Sequence, residues 1–130
     1  MRLLMVEDDA ATVESVKISF EVYLPDVIFE AIDKGLEALR LLVQGNYDCV
    51  LLDLGLPDID GISVIEKLRT FSQIPIIVVS ARTSQEVIYK ALQSGANQYI
   101  TKPYEYADLL KLVTNQMDQG QPLPKGSCAQ

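Results

Sequence analysis

The chain of 130 residues contains no histidine and no tryptophan, and it has only two cysteines. Without histidine it cannot form a Ser–His catalytic pair, a His–Cys zinc site or a phosphohistidine of its own. Cys49 and Cys128 are too few for a disulfide framework, so we interpret them as reduced thiols of a cytoplasmic protein. Because nitrogen and sulfur ligands are scarce, any bound metal is expected to be a hard cation held by oxygen, such as Mg²⁺.

Long apolar runs are also missing. No stretch approaches the ~18 apolar residues that suggest a membrane helix, and the first apolar run is short and ends in acids, unlike a signal peptide. The length suits one domain with room for a hydrophobic core. We therefore expect a single domain without membrane association.

Positive charge is scarce in most of the chain. The net charge is −7, and residues 1–80 carry 14 acidic but only 6 basic side chains, whereas residues 81–117 are close to neutral. A nucleic-acid backbone is bound by clustered lysine and arginine side chains. We therefore expect no direct nucleic-acid binding by this domain.

Five apolar runs of strand length alternate with five helical patterns. The runs cover residues 2–6, 27–32, 49–54, 74–80 and 98–101. Strict alternation of strands and helices predicts right-handed βαβ units and a parallel sheet. We predict a (βα)5 doubly wound α/β fold with a five-stranded sheet of flavodoxin-like order 2-1-3-4-5 and helices on both faces.

Apolar spacing predicts which side of each helix faces the core. In the first helix Val13, Val16, Phe20 and Tyr23 share one face, and in the second a stripe runs from Leu36 through Leu39 to Val43. Residues 1–117 are predicted to form the domain. Residues 118–130 have no such period and are predicted to be a flexible tail or the start of a linker.

Acidic residues follow two of the predicted strands. The stretch "LLMVEDDA" places Glu7, Asp8 and Asp9 directly after the first apolar run, and Asp53 lies at the end of the third. If these strands are neighbours, Glu7, Asp8 and Asp53 share one pocket, where their mutual repulsion calls for a cation. Mg²⁺ with oxygen ligands and retained waters fits that need. The alternative reading, that an acid merely caps the first helix, applies best to Asp9.

Two more polar residues are predicted at the same edge of the sheet. Ser80 ends the fourth strand, and Lys102 follows the fifth. A hydroxyl, an ammonium and a cation together suit a phosphoryl group, and Asp53 is then the natural nucleophile. Taken singly, Ser80 could be an ordinary turn residue and Lys102 a surface ion-pair partner.

Four motifs in this order resemble the receiver domain of bacterial two-component response regulators, and the resemblance covers residues 2 to about 117. They are "VEDD" after the first strand, "DLGLPDIDG" after the third, "VVSAR" at the fourth and "YITKPY" at the fifth. The resemblance implies that Asp53 is the phosphoacceptor and that Asp8 and Asp53 are direct ligands of Mg²⁺, for which Mn²⁺ can substitute. It also implies that Glu7 acts through a metal-bound water and that Gly55 adds its backbone carbonyl.

The same resemblance implies a phosphorylation-dependent signalling switch. Ser80 and Lys102 would contact the phosphoryl oxygens, and Tyr99 would change rotamer as Ser80 moves. The phosphoryl donor would be a sensor histidine kinase or a phosphotransfer protein. The surface of the fourth helix, fifth strand and fifth helix would control an output domain or partner, and phosphorylation could promote a homodimer. The domain would not be an enzyme, although it would catalyse its own phosphotransfer and slow aspartyl-phosphate hydrolysis.

The chain departs from the subfamily that controls winged-helix DNA-binding domains. Asn97 and Gln98 stand where acidic residues are usual, and Leu112 stands where an arginine is usual. The charged dimer contacts of that subfamily therefore do not carry over. Two alternatives remain: a pseudo-receiver that only binds proteins, and a Mg²⁺-dependent phosphohydrolase with an aspartyl nucleophile. Loss of the key acids or lysine would favour the first, and turnover of small phosphate esters the second.

Overall fold

The structure is a computed structural model that describes the backbone of residues 1–119 and the side chains of residues 1–116. Strands and helices alternate throughout these residues. They are β1 (Arg2–Val6), α1 (Ala10–Tyr23), β2 (Ile28–Ile32), α2 (Gly35–Val43), β3 (Cys49–Leu52), α3 (Gly61–Arg69), β4 (Ile76–Ser80), α4 (Gln85–Ser94), β5 (Gln98–Thr101) and α5 (Tyr106–Gln119). The tail predicted for residues 118–130 lies, from residue 120 onward, outside the described residues.

The five strands form one parallel sheet in the order β2-β1-β3-β4-β5. This confirms the predicted fold class and strand order. The three central strands are buried along almost their whole length, whereas β2 and β5 at the edges are only partly buried. Covered central strands explain why the runs for β1, β3 and β4 are apolar at successive positions rather than at alternate ones.

The core consists of two layers, one on each face of the sheet. Because successive strand residues point to opposite faces, Leu4 and Val6 of β1 pack with α2 and α3, whereas Leu3 and Met5 pack with α1 and α5. Helices on both faces are therefore confirmed. Burying apolar surface on both sides fixes the register of β1 and, with it, the position where the chain leaves the sheet.

The predicted core-facing stripe of α2 was partly wrong. Leu36 is 55% exposed and Val43 is 65% exposed, whereas Ala38, Leu39 and Leu42 are buried. Positions 38, 39 and 42 are spaced by i, i+1 and i+4, which places them on one side of a helix with 3.6 residues per turn. Because the sequence of α2 has apolar residues on more than one side, spacing did not identify the buried side.

Cys49 is a free thiol in β3 and is fully buried. Burial raises its pKa to about 12, so it stays protonated and unreactive at neutral pH. Within residues 1–119, none of the helices has the length and apolar character needed to cross a membrane.

Two matched substitutions test which side of α2 is buried. We expect Leu39→Ala to lower the free energy of unfolding by about 2–4 kcal/mol, because it removes buried methyl groups and leaves a cavity. Leu36→Ala should change it by less than about 1 kcal/mol. Urea denaturation followed by circular dichroism measures both, and equal losses would contradict the assignment.

Candidate functional site

Three carboxylates meet at the carboxyl ends of β1 and β3. Val6 and Leu52 are paired in the parallel register, so Glu7 and Asp53 leave the sheet side by side. One oxygen each from Glu7, Asp8 and Asp53 lies within 4.8 Å of the other two. The structure thus brings together the three acids that the sequence predicted to share a pocket.

Glu7 is the buried member of this group, with a side chain that is 1% exposed. Lys102 Nζ donates to Glu7 Oε1 at 2.7 Å, and the backbone N–H of Asp9 donates to Glu7 Oε2 at 3.2 Å. Burial raises the pKa of Glu7 and the neighbouring Asp53 adds to this, while the hydrogen bond from Lys102 opposes both. The lysine thus supplies the nearest positive charge to a carboxylate that has lost most of its water.

Lys102 also approaches the second acid, with Nζ 3.8 Å from Asp53 Oδ2. Its side chain is 24% exposed, and its backbone N–H donates to the carbonyl oxygen of Ser80. Lys102 is thus more than a surface ion-pair partner. One ammonium cannot balance three carboxylates, and two negative charges remain uncompensated when all the acids are ionised.

The donor set fits a small hard divalent cation. It consists of carboxylate oxygens only, and Asp8 at its outer side is exposed, so water can complete the coordination. Gly55 lies beside this group, since its backbone N–H donates to Asp53 Oδ1 at 3.4 Å. The excess negative charge favours a cation, and the oxygen ligands favour a hard cation such as Mg²⁺ over a soft metal.

Asp9 occupies the N-cap position of α1, as its predicted alternative role required. Its carboxylate forms no bond to the first backbone N–H groups of the helix and instead accepts the hydroxyl of Thr12. That hydrogen bond is the main cause of the lowered pKa of Asp9. Asp9 thus belongs to the start of α1 and lies outside the group of three acids.

Ser80 and Tyr99 are connected through the loop that follows β4. Ser80 is 1% exposed, and its Oγ accepts the backbone N–H of Arg82 at 3.1 Å. The Tyr99 hydroxyl donates to the carbonyl oxygen of Arg82 at 2.8 Å, and Arg82 Nη1 lies 3.4 Å from Asp60 Oδ1. The turn role considered for Ser80 is therefore real. Ser80 and Tyr99 thus both form hydrogen bonds with the backbone of Arg82.

A cavity of about 290 Å³ opens beside Lys102. It is lined by side chains of α1, the β5–α5 loop and the start of α5, including Thr12, Ser15, Tyr104 and Tyr106. Burial raises the pKa of Tyr104 to about 12, and Tyr106 and Glu7 contribute to this shift. The phenol therefore stays neutral even in alkaline solution.

Two aspartates of the "DLGLPDIDG" motif have contacts that sequence reasoning missed. Asp60 caps α3, with its Oδ2 accepting the N–H of Ile62 at 3.1 Å. Asp58 accepts the N–H groups of Gly35 and Leu36 at the start of α2. The signal for Asp60 was the Asp-Gly pair before a helical pattern, whereas the contact of Asp58 is with a distant segment.

The chain matches known proteins over nearly its whole described length. Residues 3–114 match the sequence profile of the family described as response regulator receiver domain. The chain is 34% identical over 119 residues to the transcriptional regulatory protein HprR of Escherichia coli K12. The match covers 92% of this chain but only 52% of that relative, so the chain spans about half the length of the curated relatives it matches.

Two solved structures have the same fold. The receiver domain of the Francisella response regulator 1452 is 30% identical, with a TM-score of 0.85, and the match covers 92% of this chain and 98% of that one. The receiver domain of the sensor histidine kinase PA1611 from Pseudomonas aeruginosa PAO1 is 28% identical, with a TM-score of 0.77 and coverage of 90% and 97%. That structure has a magnesium ion coordinated in its active-site cleft.

The group of acids generates a prediction about cation binding. At a Mg²⁺ concentration of 100 times the dissociation constant, the free energy of unfolding should rise by about 2.7 kcal/mol, because only the folded state brings the ligands together. Asp8→Asn should abolish most of this gain. Urea denaturation with and without MgCl₂ measures it, with EDTA as the reversal control. An unchanged response in Asp8→Asn would place the cation elsewhere.

Proposed function

The chain belongs to the response regulator receiver domain family, and we propose that it acts as a phosphorylation-dependent signalling switch with Asp53 as the phosphoacceptor. The observation that carries this proposal is the meeting of Glu7, Asp8, Asp53 and Lys102 at one edge of the sheet. Asp53 is the acid that Lys102 approaches without a direct hydrogen bond. The Oδ2 atom of Asp53, 3.8 Å from Lys102 Nζ, is thus available to form a bond to phosphorus.

The proposed donor is the phosphohistidine of a sensor histidine kinase or a phosphotransfer protein. An oxygen of Asp53 attacks the phosphorus atom, the phosphorus–nitrogen bond breaks, and the leaving imidazole nitrogen keeps the electron pair of that bond. The product is an acyl phosphate on Asp53. Slow hydrolysis of the acyl phosphate by water would reset the domain.

We propose that Mg²⁺ binds directly to Asp8, Asp53 and the carbonyl of Gly55, and through a water to Glu7; Mn²⁺ suits the same oxygen ligands. When bound, the cation neutralises charge on the phosphoryl oxygens. Magnesium in the cleft of the PA1611 receiver domain supports this assignment.

Lys102 and Ser80 are proposed to bind the transferred phosphoryl group. Lys102 has a flexible stem and already lies between Glu7 and Asp53, so a short movement lets its ammonium pair with a phosphoryl oxygen. Ser80 can donate its hydroxyl proton while its Oγ still accepts from Arg82, or it can give up that contact. In the second case the β4–α4 loop loses one of its attachments.

The output is proposed to be a change at the surface formed by α4, β5 and α5. The hydroxyl of Tyr99 in β5 donates a hydrogen bond to the carbonyl oxygen of Arg82 in the β4–α4 loop. A shift of Ser80 and Arg82 therefore changes the rotamer of Tyr99. Tyr89 of α4 and Tyr106 at the start of α5 are 66% and 42% exposed, and exposed aromatic residues suit a protein interface. The partner is an output domain, a downstream protein or a second copy of this domain.

We place the domain in the cytoplasm, and we assign any nucleic-acid binding to an output partner rather than to this acidic domain.

Intact-mass measurement tests the phosphoacceptor. Incubation with Mg²⁺ and acetyl phosphate should add one phosphoryl mass, because the donor needs no kinase. The addition should be absent without Mg²⁺ and absent in Asp53→Asn. Asp48→Asn, which removes an acid at the other end of β3, serves as the control and should be phosphorylated like the parent. A parent protein that gains no mass under rapid quenching would indicate a phosphorylation-independent binding module.

The switch has its own test in the Ser80→Ala variant. Ring signals of Tyr99 in nuclear magnetic resonance spectra should shift when the parent is phosphorylated under continuous acetyl phosphate. In Ser80→Ala the shift should be largely lost although Asp53 still gains the phosphoryl group, because the hydroxyl that moves the loop is missing. Tyr23, exposed at the end of α1, provides the unshifted reference. A full shift of Tyr99 in the variant would contradict the proposed connection.

A further inference from the structure

The helix α2 begins without a capping side chain of its own. Lys34 occupies its N-cap position and forms no side-chain hydrogen bond to the helix. The first N–H groups of a helix have no partner within the helix and need an acceptor from elsewhere. Here Asp58 supplies it from the β3–α3 loop, with Oδ1 2.9 Å from the N of Gly35 and Oδ2 2.9 Å from the N of Leu36.

The start of α2 also packs closely against the β3–α3 loop. A Cβ atom on Gly35 would lie 2.5 Å from Ile59 Cγ2, which is closer than such atoms approach each other, and it would make a tight contact of 3.1 Å with Leu56 Cδ1. Only glycine therefore lets the helix and the loop come this close. Packing brings the two segments together, and the two hydrogen bonds of Asp58 fix how they are aligned.

The loop that Asp58 anchors is the one that carries the phosphoacceptor. It begins at Asp53, whose N–H donates to the carbonyl of Val6, and it ends at Asp60, which caps α3. Between these ends Gly55 is exposed, and its conformation decides where its carbonyl oxygen points. Asp58 attaches the middle of this loop to α2.

We infer that Asp58 is a positioning residue for the cation site: by capping α2 from the β3–α3 loop, it holds the loop so that the Gly55 carbonyl can bind the cation. This inference rests on the proposed function, because it assumes that Mg²⁺ binds at Asp8 and Asp53. Asp58 itself touches neither the cation nor the phosphoryl group. Replacing a residue that orients a metal ligand without contacting the metal typically lowers metal affinity 10–100-fold.

The inferred coupling is reciprocal. If Mg²⁺ binds more tightly when the Asp58 bonds are formed, then Mg²⁺ must favour the formation of those bonds by the same factor. Saturating Mg²⁺ should therefore slow hydrogen exchange at the amides of Gly35 and Leu36. A cap that only stabilised α2 would show no slowing beyond the general stabilisation of the fold, for which the amides of the central strands β1 and β3 serve as the reference.

The test combines Mg²⁺ titration by calorimetry with amide exchange by nuclear magnetic resonance, using MgCl₂ in about 0.5 M NaCl to screen long-range charge effects. Asp58→Ala should weaken Mg²⁺ binding by about tenfold or more. It should also abolish the slowing of exchange at Gly35 and Leu36. Asp58→Asn should have a smaller effect, because its carbonyl oxygen can accept one of the two bonds. Asp26→Asn removes an exposed charge at the opposite end of the sheet and should bind Mg²⁺ like the parent.

The variants are expected to fold, because Asp58 is exposed and water can replace it at the Leu36 N–H. Should Asp58→Ala fail to fold, Asp58→Asn provides the comparison, with a loss of Mg²⁺ affinity that is smaller than tenfold but larger than twofold. Mg²⁺ affinities within twofold of the parent in the folded Asp58 variants would overturn the inference and leave the proposed function intact. A parent protein whose Mg²⁺ binding is absent or unaffected by Asp8→Asn would overturn the proposed function itself.

Discussion

The ion pair between Lys102 and Glu7 is the interaction on which the candidate site depends. Glu7 is almost fully buried between β1 and β3, where an unpaired carboxylate would be costly. Lys102 directly follows β5, which is an edge strand of the sheet. Its ion pair with Glu7 therefore connects that edge to the central strand β1. With Glu7 paired, Asp8 and Asp53 keep the excess negative charge that attracts a cation. The same ammonium is near enough to Asp53 to turn toward an incoming anion.

The two loops beside this group of acids, β3–α3 and β4–α4, differ in how they are attached to the rest of the domain. The β3–α3 loop is attached to two helix starts, α2 through Asp58 and α3 through Asp60. The β4–α4 loop is attached to one helix start, α4 through Ser84, and otherwise through single contacts of Arg82 with Ser80, Asp60 and Tyr99. Bonds to helix ends hold a loop firmly, whereas an exposed ion pair contributes little. The β3–α3 loop is therefore held at more helix ends than the β4–α4 loop.

Much of the fold could be predicted from the sequence, because a parallel sheet covered on both faces requires uninterrupted apolar runs of strand length that alternate regularly with helices. The grouping of Glu7, Asp8 and Asp53 followed from the strand order, since parallel strands end at one edge. Helix faces were harder. In α2 the apolar residues Leu36, Leu39 and Val43 fit a helical stripe, yet Ala38 and Leu42 are buried together with Leu39.

By itself, the sequence determined the order of elements, the absence of nitrogen ligands and the acids at two strand ends, because these depend on local pattern and composition. Tertiary structure alone decided that Lys102 pairs with Glu7, that Tyr99 holds the carbonyl of Arg82 and that Asp58 caps α2. Those contacts join segments separated by 95, 17 and 23 residues, and no local pattern encodes them. They form only when packing of the helices on the sheet brings distant polar groups within hydrogen-bonding distance.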